Sequence, residues 1–404
     1  MRRGIHLIKI PNKEFLTRIE NLRELMRDQD LQACLIYGDE YRKENLRYMG
    51  NYWPLFERGA VIVPLSGDPI ILAAPEGEMF CREMSAWPDV RLLPEFNCVT
   101  VPDNIEYPLA HYTSLTAISK QLQESHSLHK LGVAGIDAIP VPLMNIIESS
   151  FEGIAIVDAA DLLFKLRMNK SANEIACLQE AARIADAGYK LMIEQVRPGM
   201  TELELASLAY GECTRQGAEH MPFCLITSGD RVKTIIGRPS SKVIEEGDMI
   251  LAAIAVQVEG YIATVNFPFV AGTMTEEQKA FIDVLVEAEE RGLARIKAGA
   301  KQSEVVRAVK DCFQKHGMTQ YDLYPPLHGC GLAEAESPYP DENSAAIFIA
   351  GMTVNTDVSL FGHPHGSNRI EESLLVTDNG YESMSKLVRH LSKTWRATRE
   401  ISVN

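Results

Sequence analysis

The chain has 404 residues, of which 46% are hydrophobic and 24% charged, and its formal net charge is -15 at pH 7. This length suffices for two domains with separate cores, and the composition is that of an ordinary globular protein. Because binding to a nucleic-acid backbone needs clustered Lys and Arg, this acidic balance argues against a nucleic-acid partner.

The sequence also argues against a membrane partner, because no segment approaches the ~18 consecutive apolar residues of a membrane span. The N-terminal apolar stretch, residues 5–10, is short, is interrupted by His6 and Lys9, and has no small-residue cleavage site after it. The eight cysteines form no CxxC pair, which is typical of buried free thiols in a reducing compartment. We therefore expect a cytoplasmic protein.

Helices and strands alternate in the prediction for residues 1–160. The predicted helices are 12–30, 76–86 and 114–125, and the predicted strands are 33–37, 60–64, 69–73, 90–93 and 130–134. This alternation indicates an α/β domain. Residues 45–50 and the aromatic residues 52–56 are expected in a loop, which either lines a cleft or packs on its own core.

Residues 161–404 predict a second domain that combines long helices with hairpins. Ser171 followed by Glu174 predicts a capping box at the start of a long amphipathic helix, which Pro198-Gly199 ends. The other predicted elements are helices 203–216, 276–297 and 303–316 and strands 224–228, 249–256, 261–270, 352–359 and 370–376. Two helix-helix-hairpin units in succession suggest a pseudo-twofold domain.

The hairpin at 249–270 is the most informative stretch. Its two apolar runs are joined at Glu259-Gly260, and continuous apolar runs indicate strands that are covered on both faces. The one carboxylate between Met249 and Val270 is Glu259, which lies in the turn.

Several short strings carry a further signal. They are LRMNKSANEI at 166–175, VRPGMTE at 196–202, EGD at 246–248, EGY at 259–261, HGCGL at 328–332, GM at 351–352, RIE at 369–371 and LVTDNGYE at 375–382. In this order they resemble the creatinase, prolidase and aminopeptidase P superfamily. The resemblance implies a creatinase-like α/β domain over 1–160 and an α+β pita-bread domain over 161–404. It also implies a homodimer that cleaves a C–N bond in a small-molecule or dipeptide-like substrate.

Most members of this superfamily hold two divalent metals on two Asp, one His and two Glu, which suit hard cations. The resemblance places Ala253 and Thr264 at the two Asp positions. It keeps His328 and Glu371 and places Asp357 at the first Glu position. Since alanine and threonine supply no charged oxygen, the sequence predicts that the two-metal site is lost and that no cofactor is bound.

Two further histidine positions of the family also differ. The histidine before the Glu-x-Pro string falls on Ala335, and the one before the EGD string falls on Ile236. Creatinase is the family precedent for catalysis without metal, but its catalytic histidine is the one replaced by Ile236. The resemblance therefore implies a metal-independent, creatinase-like hydrolase or lyase for which creatine is not supported as a substrate.

The leading hypothesis is acid–base catalysis by His328 with Asp357 and Glu371, and Glu336 is included in the predicted catalytic set. Two carboxylates placed around a missing cation should repel each other, so one should retain a proton near neutral pH. The predicted substrate-binding residues are Tyr261, Thr264, Asn266, Arg238, His363 and His365.

The segment that contains His363 and His365 is expected to be a loop that closes over substrate or supplies a replacement metal ligand; a plain surface loop is the alternative. Two other functions stay open. One is an Xaa-Pro aminopeptidase or dipeptidase whose rearranged metal site uses His328, Asp357, one of these two histidines and Glu371. The other is a non-catalytic binding relic of the fold. Metal analysis and ligand screening separate the three.

Overall fold

The computed structural model describes residues 8–97 and 112–403, which form two compact units. The first is Ile10–Arg167 and the second begins at Met168. The sequence prediction placed the domain boundary after residue 160. The helix that follows is instead held in the first unit, where Arg167 Nη1 donates a hydrogen bond of 2.7 Å to Asn45 Oδ1. Cys98 lies outside the described residues.

The first unit is an α/β domain, as predicted, and is built on a mixed six-stranded sheet in the order β4-β3-β2-β1-β5-β6. The strands are β1 Ala33–Asp39, β2 Arg58–Pro64, β3 Ile70–Ala73, β4 Val90–Leu92, β5 Lys130–Ala134 and β6 Ala155–Asp158. The helices are α1 Asn12–Asp28, α2 Glu44–Gly50, α3 Glu78–Met84, α4 Leu115–His126, α5 Val141–Ser150 and α6 Ala160–Met168.

Helix α2 corrects the prediction of a loop at 45–50. All six of these residues are buried, and the helix ends at Asn51, whose φ of 52° lies in the left-handed region. The aromatic residues after it differ in their environment. Tyr52 is fully buried, whereas Phe56 is 62% exposed. Tyr52 therefore packs in the core of its own domain, whereas Phe56 does not.

The second unit is an α+β domain in which eight strands form one antiparallel sheet. Six strands follow the order β10-β8-β9-β13-β12-β11, with β7 paired to β8 and β14 paired to β13. The strands are β7 His220–Ser228, β8 Met249–Val258, β9 Tyr261–Asn266, β10 Phe269–Val270, β11 Leu327–Gly329, β12 Thr353–His363, β13 Gly366–Val376 and β14 Tyr381–Ser383. The helices are α7 Ala172–Gln195, α8 Glu202–Gln216, α9 Glu276–Leu293, α10 Gln302–Lys315 and α11 Lys386–Thr398.

Local signals in this unit act as the sequence predicts. Ser171 and Glu174 form the capping box that begins α7. Every residue of β8 and of β9 is buried, so the hairpin is covered on both faces. Both turn residues have positive φ, 50° at Glu259 and 86° at Gly260, which is the backbone twist that favours a tight two-residue hairpin turn.

Strands β12 and β13 form a longer hairpin than predicted, and the expected substrate-closing loop at 361–366 is wrong. Pairing continues to His363 opposite Gly366, with an irregularity after Leu360, so only Pro364 and His365 remain in the turn. Continued pairing satisfies the backbone groups that a loop would expose.

The two faces of β13 carry neighbouring buried carboxylates. Glu371 faces the cavity described below, whereas Glu372 pairs on the other side with Arg389 of α11, with 2.6 Å between Oε1 and Nε. Arg389 also pairs with Glu289 of α9.

Among the described residues, every helix is too short or too polar to cross a bilayer. The seven cysteines in this part of the chain are buried free thiols, as expected.

Candidate active site

A cavity of about 500 Å³ lies beside β11, β12 and β13 in the second unit. Its ionisable lining residues come from these strands and from the loop after β11. Its other walls are mainly apolar. The lining residues are His328, Glu334, Asp357, Arg369 and Glu371, together with Phe223, Leu225, Ile236, Tyr324, Pro325, Leu327, Ala335 and Tyr339.

Strand register brings the two predicted carboxylates together. Asp357 on β12 is directly opposite Glu371 on β13, and like charges in this arrangement repel. Arg369 precedes Glu371 by two residues, so the alternation of a strand places both side chains on the same face. Arg369 Nη1 lies 3.0 Å from Asp357 Oδ2 and 3.8 Å from Glu371 Oε2. The guanidinium therefore provides the positive charge that the two carboxylates share.

Arg369 is fixed in this position from several sides. Its Nη2 donates a hydrogen bond of 3.4 Å to the carbonyl of Ile235, and its Cζ lies 5.4 Å from the centre of the Phe361 ring. Burial alone would lower the pKa of Arg369, but the charges of Asp357 and Glu371 raise it above its ordinary value. Arg369 therefore carries its positive charge at neutral pH.

Glu371 is held by one oxygen only. Asn355 Nδ2 donates a hydrogen bond of 2.7 Å to its Oε1, and Asn355 Oδ1 accepts one of 3.1 Å from Ser373. Within the described part of the chain, Glu371 Oε2 and Asp357 Oδ1 are buried and accept no hydrogen bond from an amide, hydroxyl or guanidinium donor. Glu334 lies within hydrogen-bond reach of Glu371, so the two carboxyl groups can share a proton. Burial raises the pKa of Glu371 well above its ordinary value, and the charge of Asp357 adds to this.

His328 is oriented by its own strand. Its Nδ1 lies 2.9 Å from the carbonyl oxygen of Gly329, and because a carbonyl can only accept, Nδ1 carries the proton. In the neutral ring, Nε2 is then an acceptor. Nε2 lies 3.7 Å from Glu334 Oε1.

Glu334 is a site residue that the sequence analysis missed. Burial raises the pKa of its carboxyl group; His328 opposes this rise, and the charge of Asp357 adds to it. The available signal was a second carboxylate two residues before Glu336. Glu336 was chosen instead because it stands in the Glu-x-Pro string.

The structure gives Glu336 a different role from the predicted catalytic one. Its Oε1 accepts a hydrogen bond of 2.7 Å from Lys170 Nζ, both side chains are buried, and Glu336 is not among the residues that line the cavity. Three predicted substrate contacts also lie away from this lining. Tyr261 donates a hydrogen bond of 2.6 Å to Glu174, Asn266 Nδ2 donates one of 3.0 Å to Asn368, and Thr264 is 2% exposed.

The remaining predicted substrate contacts lie elsewhere. His363 and His365 line a second cavity of about 330 Å³, where the His363 ring stacks on Phe281 with 5.3 Å between ring centres. Their tight hairpin turn does not bring them to the cavity that His328 lines. Arg238 is exposed, and neither set of lining residues includes it.

The donor set decides which metal centre these residues can hold. Ala253 is fully buried on β8 and Thr264 nearly so on β9, and neither offers a charged oxygen, so the two-metal site of the resemblance does not fit this chain. A single cation does fit. His328, Glu334 and Glu371 each offer a ligand atom, and these three atoms lie within 4.8 Å of one another. One nitrogen and two carboxylate oxygens are donors that a catalytic zinc site uses with a fourth position left open.

Comparison with known sequences identifies two regions. The family model of the creatinase/prolidase N-terminal domain matches residues 18–169, and that of metallopeptidase family M24 matches residues 176–378. The chain is 29% identical over 237 residues to the uncharacterized peptidase YqhT of Bacillus subtilis, covering 58% of this chain and 67% of that one. It is 24% identical over 329 residues to the Xaa-Pro dipeptidase of Pyrococcus furiosus, covering 81% and 90%.

Solved structures agree with the fold. The prolidase of Pyrococcus horikoshii has a TM-score of 0.78 at 22% identity, covering 92% of this chain and 98% of that one. The X-Pro aminopeptidase of Thermotoga maritima has a TM-score of 0.79 at 21% identity, covering 91% and 97%. The predicted combination of a creatinase-like N-terminal domain and a pita-bread C-terminal domain is therefore confirmed.

Proposed function

The chain belongs to metallopeptidase family M24, and on that premise we propose that it hydrolyses the amide bond of a dipeptide or another short peptide in the cavity lined by His328. The family agrees with the predicted enzyme class, a hydrolase of C–N bonds. Of the functions considered from the sequence, this is the peptidase alternative. The observation that carries it is the grouping of His328 with Glu334 and Glu371 in one cavity, within 4.8 Å of one another.

The size and chemistry of the cavity support a substrate of this class. About 500 Å³ falls within the range of small-molecule sites. Phe223, Leu225 and Tyr324 offer apolar walls to a side chain or a pyrrolidine ring. When no cation is bound, the carboxylates of Glu334 and Glu371 suit the ammonium group at a peptide N-terminus, since charge-assisted hydrogen bonds are the stronger ones. An Xaa-Pro dipeptide combines these features.

The protein side chains can supply the proton transfers. Burial raises the pKa of Glu334 and that of Glu371, which favours the protonated form of each carboxyl group and suits either one to donate a proton to a leaving amine. When no cation occupies it, His328 Nε2, which faces Glu334, can accept a proton from water. A divalent cation on the same residues would polarise the scissile carbonyl and acidify a water molecule.

Metal-independent hydrolysis is the second candidate, and one observation favours it. Arg369 already places a permanent positive charge 3.0 Å from Asp357, beside a site that lacks the two family aspartates. In that case His328 acts with Glu334 or Glu371, whereas the predicted partner Asp357 remains paired with Arg369.

A dipeptide screen tests the proposed function. Purified protein is assayed with Xaa-Pro and Xaa-Ala dipeptides, after EDTA treatment and after addition of Mn²⁺, Co²⁺ or Zn²⁺. We expect cleavage that falls at least about 100-fold in kcat/KM in His328→Ala, the usual size of a lost acid–base group. His390→Ala, at an exposed histidine of α11, serves as the matched control.

Each outcome of the screen decides between the candidates. Activity that survives EDTA supports the metal-independent route, and activity that requires added metal supports the rearranged site. No cleavage under any condition leaves a binding module and contradicts the proposal. The predicted homodimer is part of the proposal and is tested by light scattering of the same preparation.

A further inference from the structure

We propose that the cavity binds one divalent transition-metal cation, on Nε2 of His328 and on the carboxylates of Glu334 and Glu371. In this arrangement the guanidinium of Arg369 takes the place of a second cation. The inference rests on the proposed function for the choice of cavity, and it deepens that function by assigning a ligand set to this chain.

The first argument is the geometry of the donors. Their ligand atoms lie within 4.8 Å of one another, so one ion can reach all three. Glu371 is 1% exposed, its Oε1 is fixed by Asn355, and among the described residues its Oε2 accepts no hydrogen bond from an amide, hydroxyl or guanidinium group. A buried carboxylate oxygen without a partner is costly, and a cation removes that cost.

The second argument is the state of the histidine. The hydrogen bond from Nδ1 of His328 to the carbonyl of Gly329 fixes the ring and leaves the lone pair on Nε2. This is the arrangement by which backbone carbonyls orient metal-binding histidines.

The third argument is the balance of charge. Three carboxylates line the cavity, those of Glu334, Asp357 and Glu371, and the one lining residue that is always positive is Arg369. Because a carboxylate must be deprotonated to hold a metal, the three carboxylates of the loaded site outweigh the one guanidinium by two negative charges in a largely apolar cavity. One divalent cation neutralises them.

The number of ions follows from Arg369. Its Nη1 lies 3.0 Å from Asp357, so a second cation beside that carboxylate would meet a fixed positive charge. The residues at the family's two aspartate positions, Ala253 and Thr264, offer no charged oxygen in compensation. Because the donors combine imidazole with carboxylates, Mn²⁺, Co²⁺ and Zn²⁺ suit the site better than Ca²⁺.

Metal titration of the full chain tests the proposal without substrate. Protein stripped with EDTA is titrated with Mn²⁺ in a calorimeter, and the loaded sample is examined by electron paramagnetic resonance. We expect one Mn²⁺ per chain with the spectrum of an isolated ion, free of coupling to a neighbour.

Glu334→Gln is the decisive variant, because it keeps the shape of the side chain and removes its charge. Loss of an outer-shell partner costs 10- to 100-fold in metal affinity, so loss of this ligand should weaken Mn²⁺ binding by at least about 100-fold. Glu382→Gln makes the same change at an exposed carboxylate of β14 and should leave affinity unchanged. Circular dichroism checks folding, and Glu371→Gln serves as a second ligand variant.

Three results would overturn the inference: two ions per chain, no bound ion, or one ion whose affinity is indifferent to Glu334→Gln and Glu371→Gln. Failure of the proposed function is separate. Single-ion binding that depends on Glu334, in a protein that cleaves no dipeptide, contradicts the peptidase but supports the ligand set. Dipeptide cleavage by a protein that binds no ion supports the peptidase but contradicts the ligand set.

Discussion

Replacing Arg369 by methionine should destabilise the β12–β13 hairpin more than any other single change in the cavity. At an effective dielectric constant of about 20, unit charges 3.0 Å apart attract by about 5.5 kcal/mol, and the pair with Glu371 at 3.8 Å adds less than a full ion pair because burial raises the pKa of that carboxyl group. Desolvation of the guanidinium offsets part of this sum. Since removing one partner leaves Asp357 and Glu371 buried and opposed, we expect a net loss of about 3–5 kcal/mol.

Hydrogen exchange of peptides covering residues 353–376 measures this loss locally, in EDTA at pH 8. Arg238→Met makes the same substitution at an exposed arginine and should change the opening free energy by less than about 0.5 kcal/mol. Added Mn²⁺ should restore part of the protection in Arg369→Met, because a cation then replaces the guanidinium. A loss below about 1 kcal/mol in EDTA would refute the reasoning that Arg369 compensates two buried charges.

Three further predictions concern other buried charges. Burial, opposed by hydrogen bonds from the backbone, raises the pKa of Glu57 to about 7. Because the pKa is higher in the folded state, the first unit loses about 3 kcal/mol of stability as the pH rises from about 4.5 through 7. The urea midpoints at pH 5 and pH 8 should therefore differ less in Glu57→Gln than in the unchanged protein. Lys170→Met removes the ammonium group that pairs with the buried Glu336 and should cost about 3–5 kcal/mol in urea unfolding. Lys170→Arg should cost less, and equal losses would contradict a charge effect. Ala253→Asp with Thr264→Asp should not restore a second metal, because the guanidinium of Arg369 remains in place of a second cation, and it should destabilise the protein by more than about 3 kcal/mol. A metal content of two ions per chain would contradict this.

Local signals were sufficient to predict most of the fold. Apolar periodicity predicted α1 and α7, the capping box at Ser171 set where α7 begins, and the continuous apolar runs of β8 and β9 indicated a hairpin with both faces covered. Helix α2 was missed because Asn45 and Arg47 are polar residues that become buried only through tertiary contacts. The β12–β13 hairpin was predicted too short, since pairing beyond Ser359 depends on the partner strand.

The candidate site could be predicted only where motif strings fixed positions along a strand. His328, Asp357 and Glu371 were singled out in this way, and strand register brings them to one cavity. Glu334 lies in a loop, and the direction of its side chain depends on the path of that loop. The pairing of Arg369 with Asp357 depends on which residues of two strands stand opposite, which a single sequence does not reveal. His363 and His365 were misplaced for a related reason, because the sequence predicts a long loop where the two strands are joined by a tight turn.

The adjacent carboxylates Glu371 and Glu372, on opposite faces of β13, also make the sheet intolerant of a shift in strand register. A slip of one residue between β12 and β13 would exchange the two faces of β13, turning Glu371 and Arg369 toward Arg389 and turning Glu372 toward the cavity. It would also turn Ile370 outward from its buried position and carry Arg369 away from Asp357. Ion pairs with an arginine on each face of β13 thus favour one register, so the charges that shape the cavity also select the alignment in which the hairpin forms.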